Sequence, residues 1–232
     1  MSGRSWFAVL TDAVYRFALS IMPATKRARQ ATRTAITRAK LIDGAYSILL
    51  AKGSVGFRLA AVSAETGISR GGLLHHYPTK EGLLAAVYEN ILHEMEQRTR
   101  DALQAAADDA LLGALVEAAR KRFFHESYRV VLDILSSSEA GGAVRRAQAE
   151  YYRPAHPHAR FEWAERLAAT GIDFKDAEVV TQYLWGAVKG AAIRAMVRED
   201  KEYNDRAIAL SLELAEDWCR ELRAGHQGPN SS

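Results

Sequence analysis

The sequence predicts an all-α protein, built as an N-terminal helix-turn-helix followed by a larger helical domain. Three observations carry this. Apolar residues recur at spacings of three and four along most of the 232 residues, which is the helical period. No stretch sustains a period of two, and no turn dipeptide flanked by alternating strands marks a hairpin. Proline is scarce, at five, while alanine, leucine, glutamate and arginine are plentiful, and these residues favour helix. With 48% hydrophobic residues the chain can bury a substantial core.

Charge divides the chain. Residues 22–80 hold ten basic side chains and two acidic ones (Asp43 and Glu65), a net +8. Residues 1–21 carry +1, and the remaining 152 residues carry −6, so the overall +3 hides an asymmetry. A basic segment on an acidic body suggests a polyanion-binding module joined to a part with another task.

The elements read as follows. Residues 5–21 place Phe7, Leu10, Val14, Phe17 and Ile21 at 3-4-3-4 spacing, with Asp12, Arg16 and Ser20 on another face, which predicts an amphipathic helix. Charge interrupts its apolar run and no small-residue cleavage site follows, so it does not read as a secretory signal. Asp12 near its centre would cost about 2.5–3.5 kcal/mol in a bilayer, which argues against a membrane span. The helix packs on this chain or a second copy, or translation begins at Met22. Residues 24–35 are small, polar and basic and read as a mobile arm. A helix over 36–51 closes at Lys52-Gly53, and short helices follow over 59–66 and from Ser69 to Tyr77-Pro78. Thr79 caps a long helix running past Arg100. Further helices are expected over 111–124, 129–135, 143–169 (interrupted by "RPAHPHA"), 176–198 and 205–223. The expected organisation is an amphipathic extension over 1–22, a basic arm over 23–35, a helix-turn-helix domain over 36–82, a helical ligand-binding and dimerisation domain over 83–223, and a disordered tail over 224–232.

Two short helices meeting at Gly67, with a longer one before them, make the helix-turn-helix. The second is too short to bury much; Leu73 is its inward anchor, with Ile68 and Tyr77 beside it. Its other faces carry Arg70, Gly71, Gly72, His75 and His76. Small residues let the backbone approach a surface, and a helix N-terminus favours phosphate. Arg70 can reach a guanine edge or a phosphate. His75 and His76 can donate to phosphate oxygens. Lys80 opposes the macrodipole of its own helix, which is easier to understand with an external phosphate as partner.

The stretch "AETGISRGGLLHHYPTKEGLLAAV" resembles the DNA-binding signature of the tetracycline-repressor-like (TetR) transcriptional regulators. Gly67, Ser69, Gly71, Leu73, His76, Lys80, Glu81 and Leu83 match it residue for residue, and Ile68, Arg70, Tyr77 and Thr79 are near equivalents. The resemblance covers about residues 33–90. It implies an all-helical homodimer, repression relieved by a small molecule, and contacts to a double-stranded DNA operator from Arg58, Ser69, Arg70, Gly71, Gly72, His75, His76, Tyr77 and Lys80. Two departures are visible. Arg58 stands where the family usually has a Thr that caps the first helix of the motif and binds a phosphate. Leu74 stands where many members have Tyr, with His75 in the neighbouring aromatic slot.

In the acidic part lie Phe123, Phe124, Tyr128, Tyr151, Tyr152, Trp163, Tyr183 and Trp185. Any one of them suits an ordinary core. Together they offer polar handles inside an apolar space, which predicts an interior cavity for an apolar or amphipathic small-molecule effector. "WGAVKGAAIRAM" puts Gly186 and Gly190 four apart beside Ala187 and Ala191, spacing that permits close helix contact. With Ile193, and with Ile208, Leu212, Ala215 and Cys219 on the last helix, it predicts a four-helix seam between two copies.

Other chemistry is not expected. His156 and His158, with His125 and Glu162, match no zinc spacing, and two prolines break the helix that would align them, so no metal is expected. Cys219, the lone cysteine, excludes a disulfide framework and fits a reducing cytoplasm. No glycine-rich nucleotide loop or nucleophile arrangement is present, so neither a cofactor nor enzymatic activity is expected. The competing expectation is a non-DNA helical module docking a membrane or protein partner through residues 5–21. Steep salt dependence of DNA affinity separates the two.

Overall fold

The computed structural model describes residues 26–137, 141–153 and 158–226. Among them the chain forms ten α-helices, one short 3-10 turn (Asp108–Ala110) and no strand. The N-terminal head is α1 (Lys26–Gly56), α2 (Leu59–Thr66) and α3 (Arg70–His76). The body is α4 (Lys80–Ala105), α5 (Leu111–Phe123), α6 (Glu126–Ser136), α7 (Gly142–Tyr151), α8 (Ala159–Ala168), α9 (Phe174–Val197) and α10 (Lys201–His226).

Residues 26–35, expected as a mobile arm, are the first turns of α1. Alanine, arginine and lysine propagate a helix at little cost once it is nucleated, and packing from Leu41 onward supplies the nucleus. Leu41, Ala45, Ile48 and Leu49 form the buried stripe, whereas residues 28–40 are exposed or half-exposed. Gly53, at φ 64, breaks the regular helix where the Lys52-Gly53 pair predicts a stop, and α1 resumes to Gly56. α2 crosses α1 closely: a Cβ on Gly44 would lie 2.3 Å from Thr66 Cγ2, so only glycine fits there. The expected extension over 1–22 lies outside the described residues.

α4 joins head to body. Leu83, Leu84, Val87, Tyr88, Ile91, Leu92 and Met95 are buried along it. It packs on α1 and also on α5, α6, α7 and α8. The helix is continuous through residues 82–83, so the head is carried on a rod about 39 Å long.

α5 and α9 pack on one another, and α9 also contacts α8 and α10. The interrupted helix expected over 143–169 is two helices, α7 and α8, with the prolines of "RPAHPHA" between them. Residues 224–226, expected in a disordered tail, continue α10 to His226. Leu222 packs on the core just before them, and adding residues to a formed helix costs little.

Candidate nucleic-acid interface and interior cavity

The α2–α3 turn is fixed by local chemistry. Gly67 ends α2 at φ 67, a left-handed conformation that suits glycine. Thr66 Oγ1 donates to the Val62 carbonyl at 2.7 Å and accepts from the Ile68 amide at 3.3 Å. Ser69 caps α3 by accepting from the Gly72 amide at 3.2 Å. Leu73, 0% exposed, is the buried anchor of α3. Thr79 then caps α4, accepting from the Gly82 amide at 3.0 Å.

This scaffold holds Ser69, Arg70, Gly71 and His75 outward, all exposed, with Gly72 and His76 half-buried beside them. A Cβ on Gly71 would meet nothing within 4 Å, so the fold itself does not require glycine there. The rings of His75 and His76 meet edge-to-face, with centroids 5.2 Å apart. Two expected contact residues sit differently. Tyr77 is 4% exposed, its ring in the core. Its hydroxyl accepts from Arg38 Nε at 3.4 Å, which makes it a support between α1 and α3 rather than a surface for DNA. Arg58 gives α2 no side-chain cap. Its Nη1 donates back to the carbonyls of Val55 and Phe57 at 2.8 and 2.9 Å. Lys80 Nζ lies 5.8 Å from the centre of the Phe57 ring. Arg29, Arg33, Arg38 and Lys40 extend the basic surface along the exposed part of α1.

A cavity of about 220 Å³ lies in the body. Phe123, Tyr128, Tyr151, Tyr152 and Trp185 all line it. Phe123 takes Tyr128 and Trp185 edge-to-face, with ring centroids at 4.9 and 5.2 Å. Phe124, Trp163 and Tyr183 do not line it. Phe124 and Tyr183 point to the exterior, and Trp163 is packed in the core. Their helical phase sets them apart from the others, and phase is decided by packing that composition does not show.

One wall is a buried ion pair. Arg122 Nη2 lies 3.1 Å from Glu96 Oε1, each side chain 8% exposed. Tyr151 donates to Glu96 and accepts from Arg122, and the Ala159 amide donates to Glu96 at 2.8 Å. Burial alone would raise the Glu96 carboxyl. The Arg122 charge and the hydrogen bonds from Tyr151 and Ala159 outweigh it and hold the group below its ordinary range. The Tyr128 hydroxyl is buried with no hydrogen-bond partner, and burial pushes its pKa up to about 12. A second, open cleft of about 270 Å³ shares Met95 and Arg122 but contains none of these aromatics.

The outer faces of α9 and α10 carry uncovered apolar side chains. Val179, Tyr183, Ile193 and Val197 are exposed, with Gly186 and Gly190 in the same 4-3-4-3-4 row. On α10, Leu210, Leu214 and Trp218 are exposed. Ile208, Ala215 and Cys219, expected at the seam, are instead buried within the protomer, and Leu212 is half-buried against its core. α10 has two apolar stripes, and the sequence assigns the wrong one to the outside.

The model for bacterial regulatory proteins of the tetR family matches residues 41–87, from mid-α1 into α4. The HTH-type transcriptional regulator CymR of Pseudomonas putida is 30% identical over 193 residues, covering 83% of this chain and 95% of that one. This chain belongs to the TetR family. Two solved structures share its fold. A TetR transcription regulator from Haloarcula marismortui superposes with a TM-score of 0.60 at 20% identity, covering 81% of this chain and 98% of that one. RolR, in complex with resorcinol, gives 0.52 at 18% identity, covering 87% and 98%.

In this TetR-family regulator the polar residues of the cavity are the ones sequence reasoning missed: Glu96, Arg122, His158, Arg160 and Lys189. A signal was present for two of them. Arg122 continues the buried stripe Leu115, Ala118, Ala119, and Glu96 falls among Leu92, Met95 and Thr99. A charged residue on a buried stripe requires a partner, and these two partner each other. Among the described residues no group of three His, Cys, Asp or Glu could hold a metal ion, and His156 lies outside them. No described helix is long and apolar enough to cross a membrane.

Proposed function

We propose that this TetR-family regulator is a cytoplasmic repressor. It binds a palindromic operator as a homodimer and releases it when a small apolar or amphipathic molecule enters the aromatic cavity. Residues 36–82 read DNA, and residues 83–223 bind effector and dimerise. The carrying observation is α3, whose outward Arg70, Gly71 and His75 stand on a buried Leu73. Arg70 makes no hydrogen bond or ion pair among the described residues, and it is placed to take a base edge or a phosphate.

The exposed row on α9, with Leu210, Leu214 and Trp218 of α10, supports the dimer. Uncovered apolar faces of this extent on a water-exposed helix pair favour association. Two recognition helices about 34 Å apart would then meet successive turns of one groove face. The cavity supports the effector role, and RolR, of the same fold, is known with resorcinol bound. Docking of a membrane or another protein through residues 5–21 is not favoured by the family relationship.

The test is titration of the purified protein with DNA selected from a random library, over a range of salt. A steep fall of affinity with salt and a clear preference for the selected sequence are expected. A shallow slope with no preference would sink the DNA reading.

A further inference from the structure

The charges lining the cavity define its ligand more narrowly than its aromatics do. Arg122, Arg160, Lys189 and Glu96 line it, an excess of two positive charges. Glu96 is committed to Arg122. Neither Lys189 nor Arg160 has a carboxylate partner among the described residues. Both are half-buried, and Arg160 Nε is buried without a hydrogen bond. The Tyr128 hydroxyl, 5% exposed, is a second unpartnered group on the same wall. Half-buried cations are costly unless a counter-charge arrives, and a buried hydroxyl without a partner costs about 1–3 kcal/mol by mutational data. One ligand group that is anionic and accepts hydrogen bonds would meet all three.

Size and shape complete the description. About 220 Å³ is below the roughly 300–1,000 Å³ of drug-sized pockets, which restricts the occupant to about one ring and its substituents. Phe123 and Trp185 offer faces and edges for that ring. An aromatic box could also hold a quaternary ammonium by cation–π attraction. Here three cations share the lining, one of them with its guanidinium carbon 5.6 Å from the centre of the Trp185 ring, so a cationic ligand is repelled.

We propose that the effector of this cavity is a small aromatic carboxylate, its ring held by Phe123 and Trp185 and its anion by Lys189 and Arg160, with the Tyr128 hydroxyl as donor. The proposal rests on the cavity being the effector site.

The probes are benzoate, its neutral isostere benzamide, and benzyltrimethylammonium, titrated calorimetrically into the full chain at millimolar concentration. Benzoate should bind at least about tenfold more tightly than benzamide, the ratio a close charge pair supplies, and the ammonium should bind least. In the double variant Lys189→Gln, Arg160→Gln the benzoate-to-benzamide ratio should fall to within about threefold, while Lys189→Arg should preserve it. The ratio separates charge recognition from a folding defect, which lowers binding of all three alike. Equal binding of benzamide and benzoate, or a ratio unmoved in the double variant, overturns the anion assignment but leaves an effector cavity standing. Failure of all three probes to bind a folded, DNA-competent protein overturns both.

Discussion

Asp133 of α6 accepts two hydrogen bonds from Ser54 at the end of α1, from its amide at 2.6 Å and its hydroxyl at 2.9 Å. The same helix donates from Arg129 Nη2 to the Leu50 carbonyl at 3.3 Å and presents Tyr128 and Val131 to the cavity. α6 therefore touches both the DNA-binding head and the ligand space. Ser54 is buried, so Asp133→Ala leaves its amide without an acceptor. A loss of about 1–3 kcal/mol is expected. Urea unfolding checks it: the midpoint should fall with the slope unchanged.

Arg70→Ala should weaken binding to the selected operator by about 1–3 kcal/mol, with little effect on random DNA, if the guanidinium reads a base. Fluorescence anisotropy on both DNAs decides the point. Equal loss on the two would assign Arg70 to phosphate.

Gly190→Leu should leave the protomer folded and break its dimer. No atom lies within 4 Å of a Cβ placed there, so the leucine is accommodated within one chain. Against a second copy it overpacks, at a cost of about 1–3 kcal/mol. Sedimentation should show a shift toward monomer, and operator affinity should fall with it. A dimer of unchanged affinity would remove Gly190 from the seam.

Glu96→Gln leaves the Arg122 charge buried and uncompensated, and a loss of about 3–5 kcal/mol is expected. The parent should also show a matching pH dependence. Glu96 is held below its ordinary range in the folded state, so its stabilisation is complete above the unfolded glutamate value. It declines as pH falls through the folded value, because the unfolded chain then binds the proton first. Denaturation midpoints measured across roughly pH 3 to 5 should fall less steeply in the variant than in the parent.

The parts of this fold legible in the sequence were those written by neighbours along the chain. Gly67, Ser69 and Thr79 place the ends of α2, α3 and the start of α4 by capping chemistry, and Leu73 stands out as the apolar anchor of a short polar helix. What was not legible depends on contacts across the chain. Tyr77 reads as part of a polar-aromatic surface until Arg38 and the core enclose it. Leu212 and Leu210 are indistinguishable by type, and only the packing of α10 on α9 turns one inward. Lys189 and Arg160 read as solvated surface because nothing local says that a cavity opens beside them.

The helical start of α1 changes how the head would meet DNA. A mobile basic arm must be immobilised on docking, at roughly 1–2 kcal/mol per residue for backbone freedom alone. Here the run from Lys26 to Lys40 is already a rod about 22 Å long. Its guanidinium and ammonium groups stand at fixed intervals, a ruler laid against the spacing of phosphates, and the entropy of setting those intervals is lost when the chain folds rather than when it finds its target. Such a rod engages only where the duplex curves to match it, so the same residues that supply sequence-independent attraction would also sense the shape of the double helix.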